Sequence, residues 1–477
     1  MPDTDLCFLS AIDAADAIRR RTVSPIELTQ AALERIDRLN PHYHAYLTVC
    51  HDKALAAARE AEEAFARGDS LGPLHGVPTS IKDLLYVKDV RATGGSLAFA
   101  EHVADRDTPL VSRLRQAGAI FLGKTNTPEF GVIPTTENRL GDACRNPWDV
   151  SRTTGGSSGG AGAAAAASLG HLHIGSDGGG SIRIPASLCG VFGIKPTNGR
   201  VPPYTREWGG FGGWPTLSQA GPLSRTVEDA ALILDVIAGP EPGDPFALPA
   251  PEASFRPRPL ERLNLRVAWS PDLGWARVDR EVRDLCEAAA RRFADLGCEV
   301  EEAAPEMDQG TILSAFAAIA GAEDAAAHSE VFERQPDLLA DYTRRFLEQG
   351  AKIPATQYIR ATWQRAAVWR AYDEFLSRYD LLLTPALATT AFPIGQPPPA
   401  IDGTPVPAFA WTPFTMICNL TGQPAASVPC GFTAAGLPVG LHVIARAFRE
   451  RTILEASRAY ERARGELPRP PEPATKA

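Results

Sequence analysis

The chain is 477 residues long, with 44% hydrophobic and 22% charged residues and a formal net charge of -9. Such a composition belongs to an ordinary globular protein, and its acidic balance speaks against a nucleic-acid surface, which needs a basic patch. No 18-residue apolar run is present to span a membrane, and the opening MPDTDLCFLS has neither the basic start nor the apolar stretch of a secretion signal.

Ser24-Pro25-Ile26-Glu27 reads as a capping box with proline at the first helical position. Leu28, Ala32, Ile36 and Leu39 recur at helical spacing, and Asn40-Pro41 is expected to end the helix. A second, alanine-rich helix is expected over about residues 52–67, closed by Gly72-Pro73. From Pro109 onward, Leu110, Leu114 and Ala117 share a helical face, Gly118 stops it, and residues 119–122 form a short buried strand. Residues 278–301 repeat the pattern, with Gly297 between helix and strand, and 263–269 and 380–383 also read as strands. Alternation of this kind builds an α/β protein, a sheet covered by helices. Residues 239–259, rich in Pro and Ala, read as a surface loop or linker, and the Pro-rich tail 467–477 as disordered. The eight cysteines are scattered from Cys7 to Cys430 without a CxxC pair. Reduced thiols in the cytoplasm are expected, rather than disulfides or zinc.

The chemistry concentrates in residues 153–196, where two Gly/Ser clusters enclose an uncharged, small-residue segment (161–169) expected to be a buried helix. The first cluster is Gly155-Gly156-Ser157-Ser158-Gly159-Gly160; the second is Gly178-Gly179-Gly180-Ser181. Three glycines before a serine let successive N–H groups converge on one point, as an oxyanion hole requires. Two tight loops without chemistry would look the same in isolation. Residues 155–159 formally match the G-x-S-x-G nucleophile elbow, but Asn146-Pro147-Trp148-Asp149 before them is a turn. Beyond the Gly/Ser stretch, moreover, only His328 and His442 remain to serve as a base. No Gly-Lys-Ser/Thr follows for a phosphate loop. His171 and His173 alternate as strand neighbours but lack a third ligand, so they read as structural, with no metal and no cofactor expected.

These residues resemble the amidase signature family, whose naming motif is similar to residues 155–196. Gly72-Pro73-Leu74-His75-Gly76-Val77-Pro78-Thr79-Ser80-Ile81-Lys82-Asp83 resembles its lysine motif. Gly123-Lys124-Thr125-Asn126, Glu129-Phe130-Gly131, Gly221-Pro222-Leu223-Ser224-Arg225-Thr226 and Asn419-Leu420-Thr421-Gly422-Gln423-Pro424 resemble further blocks in order. The likeness spans about residues 28–446. It implies one amidase-signature domain over 1–466, with its signature core at about 72–230, built as a mixed central sheet flanked by helices on both faces. It also implies a catalytic triad: Ser181 at the nucleophile, Ser157 at the bridging serine (often on a cis peptide in the family) and Lys82 at the base. Gly178, Gly179, Gly180 and Ser181 fall at the oxyanion hole. Gly178 departs from the bulkier residue of many members, which is expected to leave that loop freer.

A lysine serves as base only when neutral, and burial favours that form. Lys82 lies among uncharged residues, and the side chain of neighbouring Asp83 is expected to point to the other face of a strand. Ser158 is expected to make local hydrogen bonds, Asp177 and Arg183 to form an ion pair, and His75 to hold a turn. Tyr204, Trp208, Phe211 and Trp214, interleaved with glycines, either line an acyl or aryl pocket or cap the core edge. Residues 311–355 lie outside the motifs, in a region that often shapes the substrate funnel in the family. The resemblance therefore implies an amidase acting on a small or aryl amide through an acyl-enzyme. A carbamate or ester hydrolase is one alternative, and the glutaminase component of a tRNA amidotransferase another. Asp83-Leu84-Leu85-Tyr86 and Thr127-Pro128-Glu129-Phe130 favour a general amidase over that component. By contrast, a non-catalytic binding protein would need none of the triad. The partner is then a small-molecule amide or carbamate, and a homodimer is the base-rate expectation.

Overall fold

The computed structural model describes residues 6–69 and 71–473. A mixed sheet of eleven strands runs through them. In chain order these are β1 (Tyr46–Val49), β2 (Pro78–Lys82), β3 (Ile120–Thr125), β4 (Leu172–Asp177), β5 (Phe192–Lys195), β6 (Gln219–Ser224), β7 (Arg266–Trp269), β8 (Glu299–Glu302), β9 (Leu381–Pro385), β10 (Ala425–Phe432) and β11 (Pro438–Ile444). Across the sheet the order is β1-β3-β2-β4-β6-β5-β10-β11-β9-β7-β8. The pairs β2–β3, β2–β4, β7–β9 and β7–β8 are parallel, and the remaining six are antiparallel. Every residue of β2, β3, β4, β6 and β11 is buried. Successive strand side chains point to opposite faces, so such strands are covered on both sides, as the α/β reading requires. At one edge, β8 places Glu299, Glu301 and Glu302 in solvent, charges that discourage edge-to-edge pairing.

The capping box forms as expected: Ser24 Oγ accepts from the Glu27 amide at 3.1 Å, and Glu27 accepts from the Ser24 amide at 2.8 Å. Its helix, Pro25–Tyr43, runs past Asn40-Pro41 for most of a turn. The alanine-rich helix, His51–Arg67, is closed at Gly68 rather than at Gly72. The described part of the tail differs more. Residues 467–473, expected to be disordered, run beside the Pro25–Tyr43 helix, where Glu472 pairs with both Arg35 and Arg38 at 2.6 Å. A proline-rich backbone loses little entropy on being fixed, so these contacts suffice to hold it. Residues 474–477 of that tail lie outside the described residues. No helix among the described residues is long and apolar enough to cross a membrane.

The segment between the two Gly/Ser clusters forms the helix Gly159–Ala166, buried along its whole length. It packs against β2, β3, β4 and the following helix Arg183–Cys189. Its small residues are needed for this approach: a Cβ on Gly160 would collide with the Ala45 carbonyl and the Asn126 backbone.

Candidate active site

β2 and β4 are parallel neighbours, with Ile81 opposite Ile174, so they end at the same edge of the sheet. Lys82 closes β2 and Asp177 closes β4. The chain leaving β4 is Gly178–Ser181, and the small-residue helix delivers Ser157 and Ser158 at its N-terminal end. The Lys82 Nζ lies 2.7 Å from Ser157 Oγ, 3.0 Å from Ser158 Oγ and 3.0 Å from Ser176 Oγ. Burial lowers the Lys82 amine well below its ordinary value, with the Asp177 charge opposing. The Gly156–Ser157 peptide is cis. The two clusters are tied together by the Ser158 amide, which donates to the Ser181 carbonyl at 3.1 Å. Exposure rises from 0% at Lys82 to 2% at Ser157 and 6% at Ser181, so the second cluster lies nearest the surface of the three.

Asp177 organises the loop that follows it. Arg183 binds it through two nitrogens, at 2.8 and 2.9 Å, and both side chains are fully buried. Burial raises the carboxyl, but the Arg183 charge and hydrogen bonds, with Asn419, hold it well below the usual carboxylate range. The same carboxylate accepts from the amides of Gly180 at 2.8 Å and Ile182 at 3.1 Å. This revises the oxyanion-hole expectation in one respect: the Gly180 N–H is already committed to Asp177. The amides of Gly178, Gly179 and Ser181 have no partner among the described residues. Gly180 instead provides a backbone turn at φ +127°, where a Cβ would also strike Thr415.

The sequence profile of the Amidase family matches residues 27–454. The chain belongs to the amidase signature family. This amidase is similar to the acylamidase of Rhodococcus erythropolis, with 38% identity over 475 residues and 97% of each chain covered. It is also similar to a component of the Glutamyl-tRNA(Gln) amidotransferase of Anaeromyxobacter dehalogenans (strain 2CP-C), with 37% identity over 500 residues and 99% of each covered. The crystal structure of a bacterial aryl acylamidase of the amidase signature family superposes with a TM-score of 0.89, at 28% identity and 96% of each chain. The protein is thus an amidohydrolase acting on carbon–nitrogen bonds.

The four aromatic residues expected to line the amidase's pocket part company. The Trp214 ring fills the space a side chain on Gly178 would take, so the loop is not freer for having glycine there; the indole replaces the missing bulk. Phe316 lies over Gly179 in the same way and meets Trp214 edge-on at 5.9 Å, with Phe346 6.1 Å away on the same indole. Tyr204 is buried, and its phenol is raised by that burial, with hydrogen bonding to Ser176 and Ser218 opposing. Phe211 belongs to an aromatic cluster with Tyr86, Phe99 and Phe130. That cluster borders a cavity of about 870 Å³ whose lining includes Arg206, Glu323 and His328 but neither Ser157 nor Ser181. Trp208 turns away. Gly209, at φ +78°, reverses the chain, and the Trp208 ring meets Gly243 in the Pro-rich stretch.

Several other side chains take the structural places expected of them. His75 bonds to the Ala61 carbonyl at 2.9 Å, His171 to the Leu6 carbonyl at 3.0 Å and His173 to Ser80 at 2.8 Å. His442 is held by Arg183 at 3.0 Å, and His328 stacks on Phe130 with ring centres 4.0 Å apart. Ser158 makes the local bonds expected, to the Ser176 backbone, but also touches Lys82. The sequence reading missed that contact, and with it Ser176, Phe316 and Phe346. Ser176 lies one residue before the end of β4, beside the end of β2 that Lys82 closes, a proximity set by the strand register.

Proposed function

We propose that this amidase hydrolyses small or aryl carboxylic amides through an acyl-enzyme on Ser181, with Ser157 and Lys82 carrying the proton. The observation that carries the reading is the setting of Lys82: a fully buried amine surrounded by three hydroxyls, with no carboxylate against it among the described residues. A neutral amine has two hydrogens and one lone pair. Ser158 spends its own hydrogen on the Ser176 carbonyl at 2.9 Å, so toward Lys82 it only accepts. The Ser176 hydroxyl stands as close to Lys82 as that of Ser158 does. Lys82 then donates to Ser158 and Ser176, and its lone pair faces Ser157, the nearest of the three.

The chemistry follows from that assignment. Ser181 Oγ attacks the amide carbon as its proton passes to Ser157 Oγ and the proton of Ser157 passes to Lys82 Nζ. The developing oxyanion is met by the free amides of Gly178, Gly179 and Ser181. Collapse breaks the C–N bond, and the proton returns from Lys82 through Ser157 to the leaving nitrogen. Water repeats the sequence on the ester and releases the acid. The relatives named acylamidase and aryl acylamidase support an amide substrate, and the apolar wall of Trp214, Phe316 and Phe346 suits a carbon-rich group. The test is release of 4-nitroaniline from 4-nitroacetanilide by the wild type and by Ser181→Ala. Release by the wild type alone is expected; equal release by the variant would contradict the reading.

The similarity to the amidotransferase component favours a second reading, a glutaminase that works within a complex. Ammonia release from glutamine that exceeds arylamide turnover, or that requires a co-purifying protein, would select it.

A further inference from the structure

The eight cysteines are free thiols, and two of them meet where the helix Arg280–Asp295 packs on β10 and β11. Cys286 Sγ lies 3.8 Å from Cys430 Sγ, although the two residues stand 144 positions apart in the chain. Both thiols are aimed at one stretch of β11: Cys430 donates to the Val439 carbonyl at 3.3 Å and Cys286 to the Gly440 carbonyl at 3.7 Å. The aim of Cys430 comes from a break in the sheet register. Pro429 pairs with Gly440 and Gly431 with Val439, so Cys430 is the extra residue of a bulge, and a bulge re-aims the side chain it carries. Gly431 completes the arrangement, because Leu285 of the helix lies 3.0 Å from where a Cβ would stand.

We infer that Cys286 and Cys430 form an intramolecular disulfide when the protein meets a peroxide, a staple between helix and sheet that the resting protein keeps open. The bond needs the sulfurs at about 2.05 Å, an approach made by side-chain rotation from the present contact. Cys430 is half-buried and Cys286 fully buried, so the oxidant meets Cys430 first. The Cys430 thiolate attacks one oxygen of hydrogen peroxide and becomes a sulfenic acid; the O–O bond breaks, and the departing hydroxide takes up the proton that the thiol has lost. The Cys286 sulfur then attacks the Cys430 sulfur. The S–O bond breaks, and the departing oxygen takes the Cys286 proton and leaves as water. Two thiols and one peroxide thus yield one disulfide and two waters, and the two electrons lost by sulfur are those gained by the peroxide. Burial pushes the Cys286 thiol well above its ordinary value, so it is inert until a sulfenic acid stands beside it. A cross-link between positions so far apart removes much of the chain entropy of the unfolded state, which makes the oxidised protein the more stable one.

The experiment treats the folded, full-length protein with hydrogen peroxide, quenches it with catalase, blocks the remaining thiols with N-ethylmaleimide in urea, and maps the peptides by mass spectrometry. The expected result is a linked pair of peptides carrying Cys286 and Cys430 that dithiothreitol separates. Before unfolding, the oxidised protein is expected to show a Tm higher by about 2–5 °C, reversed by dithiothreitol. Cys286→Ser is expected to leave Cys430 as a sulfenic acid that dimedone traps, and Cys430→Ser to leave Cys286 as a thiol; neither variant gains Tm on oxidation. If a serine variant does not fold, the linked peptides and the Tm of the wild type carry the test. Cys430 oxidised beyond sulfenic acid next to a free Cys286, both thiols intact after peroxide, a link that forms only in urea, or a link that leaves Tm unmoved would each overturn the inference.

Discussion

The sheet edge around Lys82 and the helices of residues 309–375 supply different things to one site. At the sheet edge nearly every contact is polar and closed: Lys82 with three serines, Asp177 with Arg183, Asp83 with Lys124. The helices Gln309–Ala327 and Asp341–Gly350 bring Phe316 over Gly179 of the loop that holds Ser181 and Phe346 against Trp214, contacts made by apolar rings. A closed polar network fixes geometry and proton positions. An apolar wall fixes only size and shape, and tolerates substitution far better. The chemistry is therefore expected to reside in the first region and substrate preference in the second.

The strongest way to break that division is to change the first region. Ser181→Ala is expected to reduce arylamide hydrolysis by about 10⁴-fold or more, measured as steady-state kcat with the fold checked by circular dichroism. Lys82→Met and Ser157→Ala are each expected to cost about 10² to 10⁴-fold through lost proton transfer. Asp177→Asn strands the buried Arg183 charge and is expected to destabilise the fold by about 3–5 kcal/mol, read by urea denaturation. Its pH dependence has a definite sign. The Asp177 carboxyl is held below its usual range in the folded state and rises to about 3.9 when unfolded, so its contribution is complete above that value and is lost as pH falls below it. The variant's stability should therefore fall less steeply with acid than the wild type's. The second region sharpens the contrast with the smallest effect. Phe316→Ala is expected to change the ratio of kcat/KM between aryl and short-chain acyl substrates by about 10- to 200-fold, with the pH profile unmoved. A shifted profile there would blur the two regions into one.

The proposed triad came from the motifs that resemble the amidase signature family, because the glycine-rich clusters by themselves fit tight loops without chemistry equally well. Lys82 follows Ser80-Ile81 at a strand end, and Ser181 follows three glycines. The cradle of Ser158 and Ser176 was not legible, because serine is common and only the parallel register of β2 and β4 brings these hydroxyls to one amine. The spending of the Gly180 amide on Asp177 depends on loop geometry that no spacing rule encodes. Trp208 looked equivalent to Trp214 in sequence, and one positive-φ glycine separates their fates. Phe316 and Phe346 come from a region without motifs, where an aromatic on an amphipathic helix reads as core.

The central claim, that Ser181 is the nucleophile driven by Lys82, is tested most directly by covalent trapping. The enzyme would be treated with a serine-directed fluorophosphonate and the adduct located by peptide mass spectrometry, in the wild type and in Lys82→Ala. The account predicts a single adduct on Ser181 that forms much more slowly in the variant. An adduct on Ser157, or labelling of Ser181 at an undiminished rate without Lys82, would contradict it.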